Sequence, residues 1–176
     1  MFSFNDSSIP LNKVQFVKSV NSDETRKLIR NIKTDIILVN GTRIIGDKTL
    51  SCTSTKFVNT HSGLTPMYRG VHGGYWALIN DDLKSFGVTI HFIDNGVDTG
   101  NIIAQSTIIP TKKDCFVTYP LLQLNFGIKL LKNNLRDVIN GNDNKINNNV
   151  VSSVSNQYFH PTIFSYLYYL ITKGVK

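Results

Sequence analysis

Most of the information in this chain lies in two runs, Asn59-Thr-His61-Ser-Gly-Leu-Thr-Pro66-Met-Tyr-Arg69-Gly70 and Gly87-Val-Thr-Ile-His91-Phe-Ile-Asp94-Asn-Gly96-Val-Asp98-Thr-Gly100. They place an amide, an imidazole and a carboxylate at the ends of two segments with the composition of strands. Such groups can polarise a small carbonyl and remove a proton from an amine. If the two runs meet in the folded protein, the sequence predicts an acyl-transfer site.

The overall composition is that of a single globular domain. With 176 residues, of which 41% are apolar and 18% charged, the chain can bury roughly two-thirds of its unfolded surface. No apolar run approaches the ~18 residues required to cross a bilayer. The first residues also lack the basic-then-apolar pattern of a signal peptide. We therefore expect an intracellular, cytoplasmic protein with no membrane association.

The net charge of +7 is open to two interpretations. A nucleic-acid partner is one, but the basic side chains are scattered rather than gathered in one tract, so this partner is disfavoured. Anionic small molecules, such as a nucleotide-linked compound or a polyglutamylated cofactor, fit the charge equally well.

The two cysteines, Cys52 and Cys115, form neither a disulfide framework nor a metal cluster. No residues have the spacing of metal ligands, so no bound metal is expected.

Strand-like and helix-like segments alternate along the chain. Apolar runs predict strands at Val14–Val20, Asp35–Val39, Lys56–Asn59, Val88–Phe92 and Ile102–Ile109. Caps and helical spacing predict helices at Thr25–Lys33, Asp47–Cys52, Gly73–Asn80 and Tyr119–Ile139. The almost continuous aliphatic run at Asp35–Val39 is typical of a strand buried on both faces. This order predicts an α/β fold with a largely parallel sheet, which would bind ligands at the carboxyl ends of its strands.

The chain divides by composition into three segments. Residues 1–139 hold the predicted strands and helices and form the core. Residues 140–157 form an Asn-rich loop, and residues 158–176 are aromatic and predict a C-terminal helix that packs on the core.

Asn59, His61 and Asp98 are the candidate catalytic residues. The amide can donate to an oxygen that gains negative charge, the imidazole can transfer a proton, and a nearby carboxylate raises the imidazole pKa and orients the ring. Because Asn59 and His61 are two positions apart, they point to the same face of an extended strand. The alternative is structural, with His61 a hydrogen-bonded strand residue and Asp98 the cap of a Gly-rich turn. His91, between two apolar residues, is interpreted as structural.

These motifs resemble those of the folate-dependent formyltransferase family. An Asn-x-His motif followed by Leu-x-Pro-x-Tyr matches Asn59-Thr-His61 with Leu64-Thr-Pro66-Met-Tyr68. A strand with a histidine and then an acidic, Gly-rich turn matches Val88 to Gly100. The likeness covers Val14 to Ile139, and its Tyr-Arg-Gly form is closer to the sugar and tRNA enzymes of the family than to the purine enzyme. No C-terminal tRNA-binding barrel follows, so a tRNA substrate is disfavoured.

The resemblance implies a Rossmann-like α/β sheet of the formyltransferase type and a specific reaction. Asn59, His61 and Asp98 would promote attack of a primary amine on the formyl carbon of 10-formyltetrahydrofolate. The favoured acceptor would be the amine of an amino sugar or a nucleotide-linked amino sugar. Backbone groups at two strand exits would bind the folate, namely Gly41, Thr42, Arg43, Ile44 and Ile45 with Ile93, Asp94, Asn95, Gly96 and Val97.

One departure from the family concerns the segment before Val14. Members begin with a strand, a Gly-rich turn and a second strand, whereas only Met1–Lys13 stand here and contain no glycine. The expected fold therefore lacks the usual first strands and the phosphate-binding turn, which disfavours glycinamide ribonucleotide as the substrate. An uncovered sheet edge would favour a homo-oligomer. The alternative function is a catalytically impaired folate-binding or regulatory remnant.

Overall fold

The computed structural model describes residues 7–141 and 154–176. The helices are α1 (Asp23–Asn31), α2 (Asp47–Leu50), α3 (Gly73–Ile79), α4 (Tyr119–Ile139) and α5 (Ile163–Lys173). The strands are β1 (Ile36–Val39), β2 (Lys56–His61), β3 (Arg69–Gly70), β4 (Gly87–Phe92), β5 (Ile102–Thr107) and β6 (Gln157–Tyr158). Short 3₁₀ turns lie at Leu11–Lys13 and Leu83–Ser85.

The central sheet has the strand order β1-β2-β4-β5, and helices pack on it, so the predicted α/β class is confirmed. The sheet is mixed in direction. β1 and β2 are parallel, whereas β2–β4 and β4–β5 are antiparallel. The segment 93–101 between β4 and β5 is too short for the crossover of about a dozen residues or more that parallel neighbours need. Within this central sheet, parallel pairing is therefore confined to β1 and β2.

The two faces of the sheet have different chemistry. On one face, Ile90 of β4 packs with Val138 of α4 in an apolar cluster. On the other face, Asn59 and His61 of β2 lie beside His91 of β4. Because side chains alternate across a strand, each strand supplies the core with one set of residues and the polar face with the other.

Helix α4 covers the apolar face by lying across β2, β4 and β5. Its observed bounds agree with the prediction, and Pro120 in its first turn suits a position where no backbone N–H is needed. Gly127 allows close approach, since a Cβ there would come within 2.5 Å of the Thr60 methyl carbon. Among residues 7–141 and 154–176, no helix is both long and apolar enough to cross a bilayer.

Two predicted strands require correction. β1 is not buried on both faces, because Leu38 is 53% exposed and α4 packs mainly on the other three strands. The segment Val14–Val20 forms no strand, and its Phe16 is mostly exposed. Alternating polarity there has no neighbouring strand to pair with among the described residues.

The C-terminal residues return to the core. β6 pairs with β3 in parallel, so residue 157, which was assigned to the Asn-rich loop, lies in a strand. Residues 142–153 of that loop lie outside the described residues. In α5, Thr162 caps the N-terminus by accepting from the Ser165 N–H, and Tyr166 and Tyr169 pack against an apolar core cluster. The division into three segments stays a prediction.

Candidate active site

A cleft has a volume of about 550 Å³. It is lined by residues from the C-terminal ends of β1 and β2 and from the turn that follows β4. This volume lies within the range of small-molecule sites. Asn59, His61 and Asp98 all line it. So do nine of the ten residues predicted to bind folate, namely Gly41, Thr42, Arg43, Ile44, Ile45, Ile93, Asp94, Gly96 and Val97, whereas Asn95 is not among the lining residues.

Strand pairing brings Asn59 and His91 together. They are direct partners across β2 and β4, and Asn59 Nδ2 lies 3.2 Å from His91 Nε2. His91 Nδ1 lies 2.7 Å from the carbonyl oxygen of Phe92, so this nitrogen carries a proton and donates it. In the neutral ring, His91 Nε2 therefore accepts from the Asn59 amide. His91, 2% exposed, is a site residue that the sequence interpretation treated only as structural.

The Asp98 carboxylate is the centre of the cluster. Its Oδ2 accepts from the Gly70 N–H at 2.8 Å and lies 3.4 Å from His61 Nδ1. Its Oδ1 lies 3.4 Å from both Asn59 Nδ2 and His91 Nε2. Asp98 has φ +52°, a left-handed conformation that an aspartate adopts at a cost. The surrounding donors hold the carboxylate between the two histidines.

His61 presents only one of its nitrogens to Asp98. Nε2 lies 2.7 Å from the carbonyl oxygen of Tyr68, which fixes the proton on Nε2 in the neutral ring. Nδ1 then carries the lone pair and faces the Asp98 carboxylate. His61 is buried, with a residue exposure of 6%, and it lines the cleft.

Burial and charge shift the pKa values of both groups. Burial lowers the pKa of His61 below its ordinary value, although the Asp98 charge and the Tyr68 carbonyl oppose this shift. For Asp98, burial acts to raise the pKa, but the neighbouring His91, the charge that His61 carries when protonated and the Gly70 N–H together lower it. Near neutral pH, the pair therefore consists of a carboxylate and a neutral imidazole.

Hydrogen bonds within the turn that carries Asp98, and one from Arg69 outside it, hold the turn in place. Asp94 Oδ1 accepts from the Gly96 N–H at 3.0 Å and from the Thr99 hydroxyl at 2.7 Å. Arg69 Nη1 donates to the Val97 carbonyl at 2.8 Å. The Asp94 side chain is therefore engaged in forming the turn, as its Asp-Asn-Gly sequence indicates.

The opposite wall of the cleft is the loop Gly41–Ile45. Asn21 anchors its end, because its side-chain amide donates to the Ile44 carbonyl at 2.9 Å and its Oδ1 accepts from the Gly46 N–H at 2.8 Å. The Ile44 side chain is 71% exposed. This wall offers backbone groups and an apolar surface to a ligand.

A third wall comes from the C-terminal residues Gln157, Tyr158 and Phe159. Nothing in their sequence indicated a place in the site. Gly70 and Arg69 stand in the first motif, but their contacts with Asp98 and Val97 were not predicted. Within the described part of the chain, no group of three or more metal-ligating side chains is found.

The family model described as formyl transferase matches residues 6–119, which is more than half of the chain. The chain therefore belongs to the formyl transferase family. This agrees with the folate-dependent formyltransferase likeness inferred from the sequence motifs.

Individual relatives act on different acceptors. The methionyl-tRNA formyltransferase of Azobacteroides pseudotrichonymphae genomovar. CFP2 is 32% identical over 124 residues, 70% of this chain and 38% of that protein. A formyltransferase from Anoxybacillus kamchatkensis, solved with UDP-4,6-dideoxy-4-formamido-L-AltNAc and tetrahydrofolate, is 26% identical with a TM-score of 0.67. The match covers 88% of this chain and 78% of that one.

The phosphoribosylglycinamide formyltransferase of Bacillus halodurans is 28% identical with a TM-score of 0.57, covering 70% of this chain and 63% of its own. The match to the curated relative from Azobacteroides spans only about two-fifths of that protein's length. These comparisons establish the family, and the activity of this chain and its acceptor are separate questions.

Proposed function

We propose that this chain transfers a formyl group from 10-formyltetrahydrofolate to a primary amine, namely that of an amino sugar or a nucleotide-linked amino sugar. The observation that carries the proposal is the convergence of Asn59, His61 and the Asp98 carboxylate in one cleft. Membership of the formyl transferase family supports it independently.

The cleft has the size and the groups that a folate requires. At about 550 Å³ it can admit a pterin ring, and the backbone of Gly41–Ile45 and of 93–97 borders it on two sides. These backbone groups would bind the polar edges of the ring, as the family resemblance implies. When bound, the formyl folate supplies the electrophilic carbon.

His61 would act as the base. The proton on Nε2 is held by the Tyr68 carbonyl, so Nδ1 is the nitrogen free to take a proton from the attacking amine. A pKa lowered by burial keeps the ring neutral before the reaction. The same nitrogen would then return the proton to the departing folate nitrogen, so that no net proton is gained or lost.

Asp98 would stabilise the imidazolium that forms when His61 accepts the proton. Its lowered pKa keeps it charged, and the 3.4 Å separation from Nδ1 leaves room for the reacting groups or a water to exchange contacts. The Tyr68 carbonyl fixes the orientation of the neutral ring, and Asp98 would accept from Nδ1 once that nitrogen is protonated.

Asn59 would donate to the oxygen of the carbonyl under attack. In the free protein its two amide hydrogens face His91 Nε2 at 3.2 Å and Asp98 Oδ1 at 3.4 Å. The longer contact is the weaker one and is the bond to be exchanged when the oxygen becomes negative. Binding of the substrates would therefore reorganise this amide without moving the strand.

Fewer observations support the choice of a sugar as the acceptor than support formyl transfer itself. The Anoxybacillus relative, bound to a UDP-linked sugar, matches 88% of this chain, and the net charge of +7 suits an anionic nucleotide. Other relatives act on methionyl-tRNA or glycinamide ribonucleotide by name. The identity of the acceptor amine is therefore the first property to determine by experiment.

The direct test is an acceptor screen. The protein is incubated with 10-formyltetrahydrofolate and separate amines, namely UDP- and dTDP-linked amino sugars, glycinamide ribonucleotide and methionyl-tRNA, and mass spectrometry detects the added carbonyl. We expect formylation of an amino sugar and at least about 100-fold slower formylation in parallel reactions with His61→Ala. Binding of folinic acid by calorimetry without turnover on any amine would instead favour the impaired folate-binding alternative.

We further propose that the protein is a homo-oligomer that works in the cytoplasm, where reduced folates are used. The outward face of α5 carries Phe164, Tyr168 and Ile171 at helical spacing, and all three are exposed. Analytical ultracentrifugation of the wild type and of Phe164→Glu tests this, because a charge there would favour the monomer. A monomeric wild type at assay concentrations would contradict it.

A further inference from the structure

The short strand β3 contacts both the turn that carries Asp98 and a segment near the C-terminus. We call residues 154–160 the C-terminal strap. It stands beyond residues 6–119, which match the family model, yet Gln157, Tyr158 and Phe159 line the cleft. The strap therefore contributes to the site from a part of the chain that the family match does not include.

The strap is docked by backbone and aromatic contacts. The Arg69 N–H donates to the Asn156 carbonyl and the Val71 N–H to the Tyr158 carbonyl, both at 3.0 Å. The Tyr158 ring is stacked between Tyr68, with a centroid distance of 5.3 Å, and Trp76, at 5.4 Å. Trp76 Nε1 also donates to the Phe159 carbonyl at 2.9 Å.

A single guanidinium joins the strap to the turn that carries Asp98. Arg69 Nε donates to the Ser155 hydroxyl at 3.0 Å, and its Nη1 donates to the Val97 carbonyl at 2.8 Å. Val97 immediately precedes Asp98. The next backbone N–H along β3, that of Gly70, donates to Asp98 Oδ2 at 2.8 Å.

We propose that Arg69 is a positioning residue for Asp98, and that the C-terminal strap acts on catalysis through it. This inference rests on the proposed function, because it assigns Asp98 a role in proton transfer. Asp98 adopts φ +52°, so its backbone must be held by neighbouring contacts to keep the carboxylate beside His61. Arg69 supplies one of these contacts and Gly70 supplies another.

The geometry requires an arginine. Its planar fork donates in two directions at once, to a hydroxyl of the strap and to a carbonyl of the turn. A lysine ends in a single nitrogen, so it cannot reproduce the two separate donor atoms, Nε and Nη1, that contact Ser155 and Val97. A glutamine is shorter and uncharged, so Arg69→Gln removes the link, whereas Arg69→Lys keeps part of it.

The test compares Arg69→Gln, Arg69→Lys and Ser155→Ala with the wild type. Arg30→Gln is the matched control, because it removes the same charge from an exposed position on α1. We expect Arg69→Gln to lower kcat about 100-fold, the scale of loss for a misplaced catalytic group, with folinic acid affinity unchanged. Arg69→Lys should recover part of this loss. Ser155→Ala should cost less than about tenfold, since it removes one exposed hydrogen bond.

Two further readouts separate positioning from general damage. Trp76 is the only tryptophan of the chain and stacks on Tyr158, so its fluorescence and acrylamide quenching report strap docking. The titration of His61, followed by NMR in protein with labelled histidine, reports its distance from Asp98. Because the Asp98 charge raises the pKa of His61, Arg69→Gln should lower that pKa towards its value in Asp98→Asn.

The outcomes are distinguishable. A wild type that formylates no amine contradicts the proposed function, but the His61 titration still decides the inference. If Arg69→Gln leaves kcat and the His61 pKa at the values of wild type and Arg30→Gln, the positioning role is wrong. It is also wrong if turnover, folate affinity, Trp76 emission and circular dichroism are all lost together in both Arg69 variants.

Discussion

The two long walls of the cleft are built in opposite ways. The turn that carries Asp98 is tied to its surroundings by Asp94, by Arg69 and by the Gly70 N–H. The loop Gly41–Ile45 is anchored at its end by Asn21 and exposes Ile44. One wall is fixed by many hydrogen bonds across the fold, and the other is held mainly at one end.

This difference corresponds to two tasks. Proton transfer requires groups that are already in place, because reorganising them during the reaction would raise the barrier. Recognition of a flat ring by backbone groups tolerates some adjustment on binding. Substitutions in the Asp98 wall should therefore change turnover, whereas substitutions in the Gly41–Ile45 wall should change affinity.

The largest effect is expected for His61→Ala. Removing the base should lower kcat by about 10²–10⁴-fold, because the general base contributes a factor of this size. Affinity for folinic acid should change less than about threefold, since the folate is expected to bind to backbone groups of two other segments. Steady-state kinetics and calorimetry on the same preparation provide the two numbers. Near-normal turnover by this variant would remove His61 from the mechanism.

The next effect is expected for Asp98→Asn, with a defined pH signature. The Asp98 charge raises the pKa of His61, so its removal should lower that pKa further. The acid limb of the kcat profile, which reports protonation of the base, should then move to lower pH while the maximum falls about 100-fold. A pH–rate profile of both proteins measures this. An acid limb that moves to higher pH would contradict the assignment.

Asp98 also predicts how stability depends on pH. Its pKa is lowered in the folded protein, so its contribution is present above the unfolded pKa of about 4 and is lost as pH falls through the folded pKa. Asp98→Asn should therefore lose less stability between pH 5 and pH 3, roughly, than the wild type does. Urea unfolding at each pH gives the comparison, and equal slopes would contradict it.

A pair of glycine substitutions compares the walls directly. Gly70 has φ +91°, and a Cβ there would lie 2.2 Å from the Tyr158 carbonyl oxygen, whereas Gly41 has φ +60° with nothing within 4 Å. Gly41→Ala should cost about 1–2 kcal/mol of stability through backbone conformation alone. Gly70→Ala should cost more, because the strap must also move away. Thermal unfolding of the two variants, which are matched in chemistry, tests the order, and equal costs would contradict it.

The smallest effect is expected for Asn21→Ala. It releases the end of the Gly41–Ile45 loop by removing two hydrogen bonds at exposed positions. We expect KM for the folate to rise less than about tenfold, with kcat unchanged. Asn134→Ala, which removes a side-chain hydrogen bond to the Leu130 carbonyl on α4, away from the cleft, serves as the matched control for loss of an asparagine. A fall in kcat without a change in KM would contradict the division between the walls.

Local patterns in the sequence predicted the parts of the site that depend on local geometry. The two-residue spacing of Asn59 and His61 indicated one strand face, and both side chains do lie in one cleft. The helical spacing of Tyr119–Ile139 gave the bounds of α4. Periodicity was sufficient here because each of these features is set by a single element.

Features that depend on distant pairings could not be obtained in this way. His91 joins the cluster because β2 and β4 are antiparallel, which places it opposite Asn59. The pairing of Gly70 with Tyr158 joins residues from remote parts of the chain and has no local pattern. The exposure of Leu38 likewise depends on which strands α4 covers, not on the aliphatic character of β1.

The alignment of β2 with β4 has one more consequence. It sets Asn59 against His91 and His61 against Thr89. A slip of one residue would turn both polar side chains of β2 towards α4 and send their apolar neighbours into solvent. Such a misfolded chain would lose its core and its chemistry together. The specific activity of a purified sample would therefore be a direct gauge of its correctly folded fraction.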